Sequence, residues 1–174
     1  MEIYLVRHTT PAISKEICYG QSDIPLAATF TEESQRVLEK LPASVDMVYT
    51  SPLSRCLQLA QRIPHQALEQ VSQLKEMNFG DWELRPWSEI PKQELDPWMN
   101  DFVNYQVPNG ESMEMLADRV ARWYENLMTT PLDKVVVVTH AGPIRIILSK
   151  VHGTALEEAF KLYPVDYGEV ILIN

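Results

Sequence analysis

A chain of 174 residues, 45% hydrophobic and 22% charged, is long enough for one domain with one sizeable core and does not call for a second. It carries no apolar run of membrane-spanning length and no basic-then-apolar leader with a small-residue cleavage site, and Cys18 and Cys56 lack CxxC spacing. A soluble cytoplasmic protein with reduced thiols is therefore expected. The net charge of −9 disfavours sequence-independent binding to nucleic acid or an anionic membrane, so an anionic ligand would have to meet cations gathered in one pocket.

In chain order, Ile3–Val6 is apolar and β-prone and predicts a buried strand that ends on Arg7 and His8. Residues 27–41 carry Val37, Leu38 and Leu41 at helical spacing and stop at Pro42, predicting an amphipathic helix. Met47–Thr50 predicts a short strand, after which Ser51 and Pro52 supply an N-cap and a first helical residue for a helix reaching about Ile63. A weaker strand is expected within residues 67–74. Residues 77–107 hold three of the four tryptophans, and prolines break the periodicity there. Short helical pieces forming a cap over a sheet are expected. Pro108–Gly110 predicts a turn, and Ser112 caps a helix with Leu116, Val120, Trp123 and Leu127 on its buried face. Four consecutive valines in KVVVVTH mark a central parallel strand buried on both faces. That strand ends on His140, and Ala141–Gly142 opens a helix that should stop at Gly153. Residues 168–174 close the chain as a strand. Strands alternating with helices predict a three-layer α/β/α sandwich with a mostly parallel central sheet, one domain over residues 1–174.

Parallel strands point their C-terminal ends to one edge, where ligands of open α/β sheets bind. Arg7, His8, His140 and Arg55, the last on the helix after Ser51, are thus expected to converge. Two guanidiniums suit phosphate oxygens, and the helix N-terminus at Gly142 adds backbone N–H groups. One imidazole can attack phosphorus while the other, if protonated, helps hold the transferring charge. Only an acid for the leaving oxygen is lacking.

These residues resemble the histidine phosphatases of the phosphoglycerate-mutase-like superfamily along nearly the whole chain. VRHTTP stands where that family has Arg–His–Gly, SPLSR where it has Ser–Pro–x–x–Arg, and VVTHAGPIR where it has the second histidine. LKEMNFGDWE supplies a glutamate at the proton donor's position. CYGQSDIPL, WSEIPKQELDPW and PNGES are more narrowly similar to the bacterial α-ribazole phosphatases of cobalamin assembly. The resemblance implies His8 as phosphohistidine nucleophile, Arg7, Arg55 and His140 as phosphate clamps, and Glu76 as general acid, then base. It implies no metal and no cofactor, a small phosphorylated metabolite as partner, and substrate contacts at Ser14, Gly20 and Gln21. Arg85, a basic residue of the cap along with Lys92, joins the substrate set.

Alternatives accompany several positions. Glu83 lies one short loop from Glu76 and is the other candidate acid. Thr9 replaces the family's glycine, so its backbone is either ordinary or strained. Glu111 reads as a helix-start residue and Arg145 as a residue outside the centre. Trp87, Trp98, Phe102 and Tyr105 suit a flat base such as dimethylbenzimidazole, with core packing expected for at least half of them.

Overall fold

A computed structural model describes residues Met1–Asn174. At its centre lies a five-stranded sheet of β1 (Glu2–Arg7), β2 (Val45–Thr50), β3 (His65–Gln70), β4 (Lys134–Thr139) and β5 (Val170–Ile173). The spatial order is β3-β2-β4-β1-β5; the first four are mutually parallel and β5 runs antiparallel to β1. Successive side chains of a strand point to opposite faces, and β4 uses both. Val135 and Val137 join Ile3 and Leu5 beneath α4 (Met113–Leu127) and α5 (Ala141–His152). Val136 and Val138 join Val6, Val48 and residues of α1 (Phe30–Leu38) and α2 (Ser54–Ala60) on the other face. This is the predicted three-layer sandwich with a mostly parallel sheet.

Several boundaries differ from the sequence expectation for local reasons. Helix α1 is shorter than residues 27–41: past Leu38 the chain tightens into i→i+3 bonds from Lys40 and Leu41 to Val37 and Leu38. Ser51 and Pro52 do not begin α2. Leu53 holds the N-cap position, and Asp23 Oδ1 accepts from Ser54 N at 2.9 Å and Ser54 Oγ at 2.7 Å. A carboxylate from a distant loop thus does the capping, while Ser51 Oγ accepts only a long bond from Leu53 N at 3.4 Å. On α4 the Ser112 cap forms as predicted, accepting from Met115 N at 3.2 Å. The buried stripe turns through Tyr124 rather than Trp123, which packs edge-on to Tyr49 at 5.5 Å. Helix α5 ends at the predicted Gly153, whose φ of 65° is the left-handed conformation of a helix stop.

Residues 77–107 hold two 3₁₀ turns, Gly80–Trp82 and Trp87–Glu89, and α3 (Lys92–Asn100), with α6 (Ala159–Leu162) beyond α5 in the chain. No helix is long and apolar enough to cross a membrane. The register that positions the site is that of the central strands: Arg7 lies beside Thr139 and Thr50 beside Val138, so β1, β4 and β2 end side by side.

Candidate active site

The ladder runs one residue past those ends. His8 N donates to Thr139 O at 3.0 Å and Ser51 N to Val138 O at 2.9 Å. His8 and His140 are therefore neighbours by register, with ring centroids 5.1 Å apart at 65° and exposures of 2% and 1%. His8 Nδ1 lies 2.7 Å from the Thr9 carbonyl. A carbonyl only accepts, so Nδ1 carries the proton and Nε2 holds the free lone pair. Thr9 is not among the residues with positive φ, so the threonine that replaces the family glycine has ordinary backbone and its carbonyl orients the ring. His140 Nε2 lies 2.8 Å from Ser51 Oγ, which is not the cap of α2.

The arginines complete the floor. Arg7 Nη1 donates to Val165 O at 2.6 Å while its guanidinium lies 3.8 Å above the Tyr167 ring. Arg55, wholly buried, donates through Nη1 to Ser22 O at 2.8 Å and through Nη2 to Gly20 O. Each retains a buried Nε–H with no partner. An unsatisfied buried donor costs about 1–3 kcal/mol, and more when charged, so two of them beside two imidazoles make a place prepared for an anion. Burial, with help from Arg55, holds His8 well below the ordinary histidine range. Burial followed by the His8 and Arg55 charges does the same to His140. Both causes favour the neutral ring, so the protonated His140 that the sequence reading makes conditional needs a neighbouring negative charge. A phosphate dianion beside the ring supplies that charge and offsets the neighbouring cations.

The two glutamates separate cleanly. Glu76 lines the cavity, and its carboxylate accepts from Met77 N at 2.9 Å and from Gly142 N, at the start of α5, at 3.1 Å. Gly142 is required by this approach, because a Cβ there would sit 2.1 Å from Glu76 Oε1. Glu83 does not line the cavity. It accepts from the N–H groups of Gly20, Gln21, Ser22 and Phe79 and from the Ser22 hydroxyl at 2.6 Å. Burial pushes its carboxyl up, but these donors, led by Ser22, hold it below the ordinary range. Glu83 fastens the loop whose carbonyls receive Arg55.

A cavity of about 320 Å³ opens above the floor, lined by Arg7, His8, Arg55, Glu76, His140 and Gly142 among others. Of the predicted substrate contacts, Ser14 is exposed, with its hydroxyl accepting from Glu16 N, and Arg85 donates to Glu89 O. Neither lines the cavity, and the same holds for Gly20 and Gln21, whose Nε2 donates instead to the Glu76 carbonyl. Trp87, Trp98 and Phe102 do line it, and Tyr105 packs against the core. Sequence reasoning missed Tyr19, Tyr167, Lys15 and the cavity position of Arg145. Arg145 had a signal, since it follows His140 by five residues much as Arg55 follows Ser51 by four. Tyr167 had one only through topology: an antiparallel β5 beside β1 starts at the edge where β1 ends.

The profile described as Histidine phosphatase superfamily (branch 1) matches residues 3–174. The chain belongs to this superfamily and is a phosphatase-type hydrolase. It is 27% identical to an Escherichia coli protein named adenosylcobalamin/alpha-ribazole phosphatase, across 97% of this chain and 87% of the relative. A Proteus mirabilis protein named a probable phosphoglycerate mutase is 29% identical across 88% of this chain and 75% of its own length. The crystal structure of the alpha-ribazole phosphatase from Shigella flexneri matches with a TM-score of 0.89 at 26% identity, covering 100% of this chain and 90% of that one.

Proposed function

We propose that this chain is a metal-independent phosphomonoesterase that works through a phosphohistidine on His8. The observation that carries the reading is the pair of orphaned Nε–H groups of Arg7 and Arg55 flanking an imidazole with a free Nε2. The substrate phosphate takes its oxygens to those donors and to His140. His8 Nε2 attacks phosphorus, the ester P–O bond breaks, and protonated Glu76 gives its proton to the leaving oxygen. Water then attacks the phosphoryl group as the N–P bond breaks, and the Glu76 carboxylate takes its proton. The N-terminus of α5 adds its favourable dipole, while its Gly142 N–H is held by Glu76.

The substrate we favour is α-ribazole 5′-phosphate, cleaved to α-ribazole and phosphate in cobalamin nucleotide-loop assembly. The names of two relatives support it, as does an aromatic wall in which Trp87 and Trp98 stack with centroids 5.8 Å apart at 25°. A second reading is favoured by a different observation. Arg145 donates only its Nε, to Tyr163 O at 3.1 Å, and makes no ion pair, and Lys15 lines the same cavity also unpaired. Two cations beyond the phosphate clamps suit a monoester with a second anionic group, in keeping with the mutase name of another relative. Hydrolysis rates across ribazole, nucleoside and sugar phosphates, phosphoserine and phosphoglycerate decide between them. Highest kcat/KM for ribazole phosphate supports the first reading, and preference for the carboxylated esters replaces it with the second. Full turnover in a chelator is expected; activity lost in EDTA and restored by magnesium would overturn the metal-independent account.

A further inference from the structure

Glu76 sits on no helix and no strand, yet its carbonyl accepts from two side chains. Arg119, near the middle of α4, donates through Nη2 to Glu76 O at 2.9 Å and through Nη1 to Lys75 O at 2.8 Å and Gln73 O at 2.5 Å. The same guanidinium meets Glu111 in a two-point ion pair, Nε to Oε1 at 2.8 Å and Nη2 to Oε2 at 3.0 Å. Glu111 Oε2 also accepts from Asn78 N at 2.8 Å, two residues beyond Glu76. Glu111, read from sequence as a helix-start residue, is therefore half of a clamp that grips the segment 73–78 on both sides of Glu76. Gln21 Nε2 reaches the same Glu76 carbonyl from another loop at 3.0 Å.

The arrangement serves the carboxylate rather than the core. An irregular segment makes no ladder of its own, so its backbone position is set by whatever receives its carbonyls. Only a planar, five-donor cation reaches three carbonyls and a carboxylate at once; a lysine ammonium at the end of a flexible stem does not. The pair is largely shielded, with side-chain exposures of 20% and 15%, so water screens it less than a surface bridge.

We propose that Arg119 is a positioning residue for proton transfer. It touches no substrate, but it fixes the Glu76 backbone so that the carboxyl reaches the leaving oxygen. The proposal rests on the reading of Glu76 as the proton donor. Its consequence is selective, because an alkoxide needs that proton in the transition state and a nitrophenolate leaves without it.

The test compares the rate of phosphoenzyme formation, by rapid quench, for an alkyl phosphate and for p-nitrophenyl phosphate in Glu76→Gln and Arg119→Lys enzymes. Glu76→Gln sets the scale, with an expected fall of about 10²–10⁴-fold on the alkyl ester and a small fall on the aryl ester. Arg119→Lys should show the same selectivity at about 10–10²-fold, the usual penalty for a slightly misplaced group. Equal slowing on both esters by Arg119→Lys, or a lowered melting temperature with unchanged leaving-group dependence, overturns the proposal while leaving Glu76 as the acid. Absence of selectivity in Glu76→Gln itself overturns the underlying reading and the proposal with it. Should Arg119→Lys fail to fold, Glu111→Gln frees the same guanidinium from its two-point partner and is read by the same criterion.

Discussion

The floor and the roof of the cavity are built on opposite plans. On the floor, His8, Ser51 and His140 follow three adjacent parallel strands, and the hydrogen-bond register brings them together before any side chain is considered. The floor is buried and charged, and the Nε–H groups of Arg7 and Arg55 have no partner within the protein. The roof is made of short turns and α3, with Phe79, Trp87 and Trp98 in mutual edge and stacked contacts. Those rings are half-exposed and answer to no ladder. Topology therefore dictates the chemistry, whereas an irregular, easily varied segment shapes what is presented to it. Floor substitutions should slow every substrate alike, and roof substitutions should discriminate among substrates.

The largest expected effect is at His8, the proposed nucleophile. His8→Ala should lower turnover by about 10⁴-fold or more on every ester, since no neighbouring group can take over the covalent step. Brief exposure to labelled substrate and a quench in base should leave alkali-stable, acid-labile label on the peptide around Arg7–His8 of the parent enzyme. Label on a serine, or turnover persisting in the variant, would break the floor's side of the comparison.

The same difference in plan explains what could be read from the sequence. Strand ends were legible because a valine run or an apolar tetrad advertises itself, and parallel strands share an edge. His8, His140, Arg55 and Arg7 could thus be grouped without coordinates. The Ser51 cap failed because a local rule was applied where a distant side chain, Asp23, won the helix end. Glu76 was preferred over Glu83 by resemblance alone, since only the fold shows that Glu83 accepts five hydrogen bonds from protein donors while Glu76 faces the cavity. Ser14 was placed by resemblance and Arg85 by its charge alone, both in segments without regular structure, where neither register nor charge says which way a side chain turns. Tyr167 depended on the direction of β5, which no local pattern encodes.

A middle-sized effect is expected in acid, and it belongs to the floor alone. His8 and His140 are both held well below the ordinary histidine value of 6.5. Below about pH 6.5 the unfolded chain binds protons at these positions that the folded chain refuses. Stability should therefore fall with falling pH, by up to about 1.4 kcal/mol per pH unit for each histidine, until the folded values are reached. Above pH 7 these two groups contribute no slope. The carboxylates held low, Glu33, Glu83 and Asp46, start from 4.5, 4.5 and 3.8 and lose stability only in more acidic solution. Urea unfolding between pH 8 and 5 should thus show an acid slope that is shallower in His140→Asn. An identical slope in the variant would show that His140 takes up its proton in the folded state as readily as in the unfolded one.

The smallest effect is expected at the roof, where one indole carries an unspent donor. Trp98 Nε1–H is buried without a partner, although the ring lines the cavity and stacks on Trp87. Indole nitrogen is donor only, so a substrate acceptor, such as a ring nitrogen or a hydroxyl oxygen, would remove the penalty on binding. A single neutral hydrogen bond of this kind contributes about 0.5–1.5 kcal/mol, or about 2–10-fold in affinity. Trp98→Phe keeps an aromatic surface and deletes the donor. It should raise KM by about that factor for the physiological ester while leaving kcat and the kinetics of p-nitrophenyl phosphate nearly unchanged. A matching rise in KM for the aryl ester would mean that the indole acts through packing, and a fall in kcat for both would mean that roof and floor are not separable. Selective loss on the larger substrate is the outcome that ties specificity to the irregular segment.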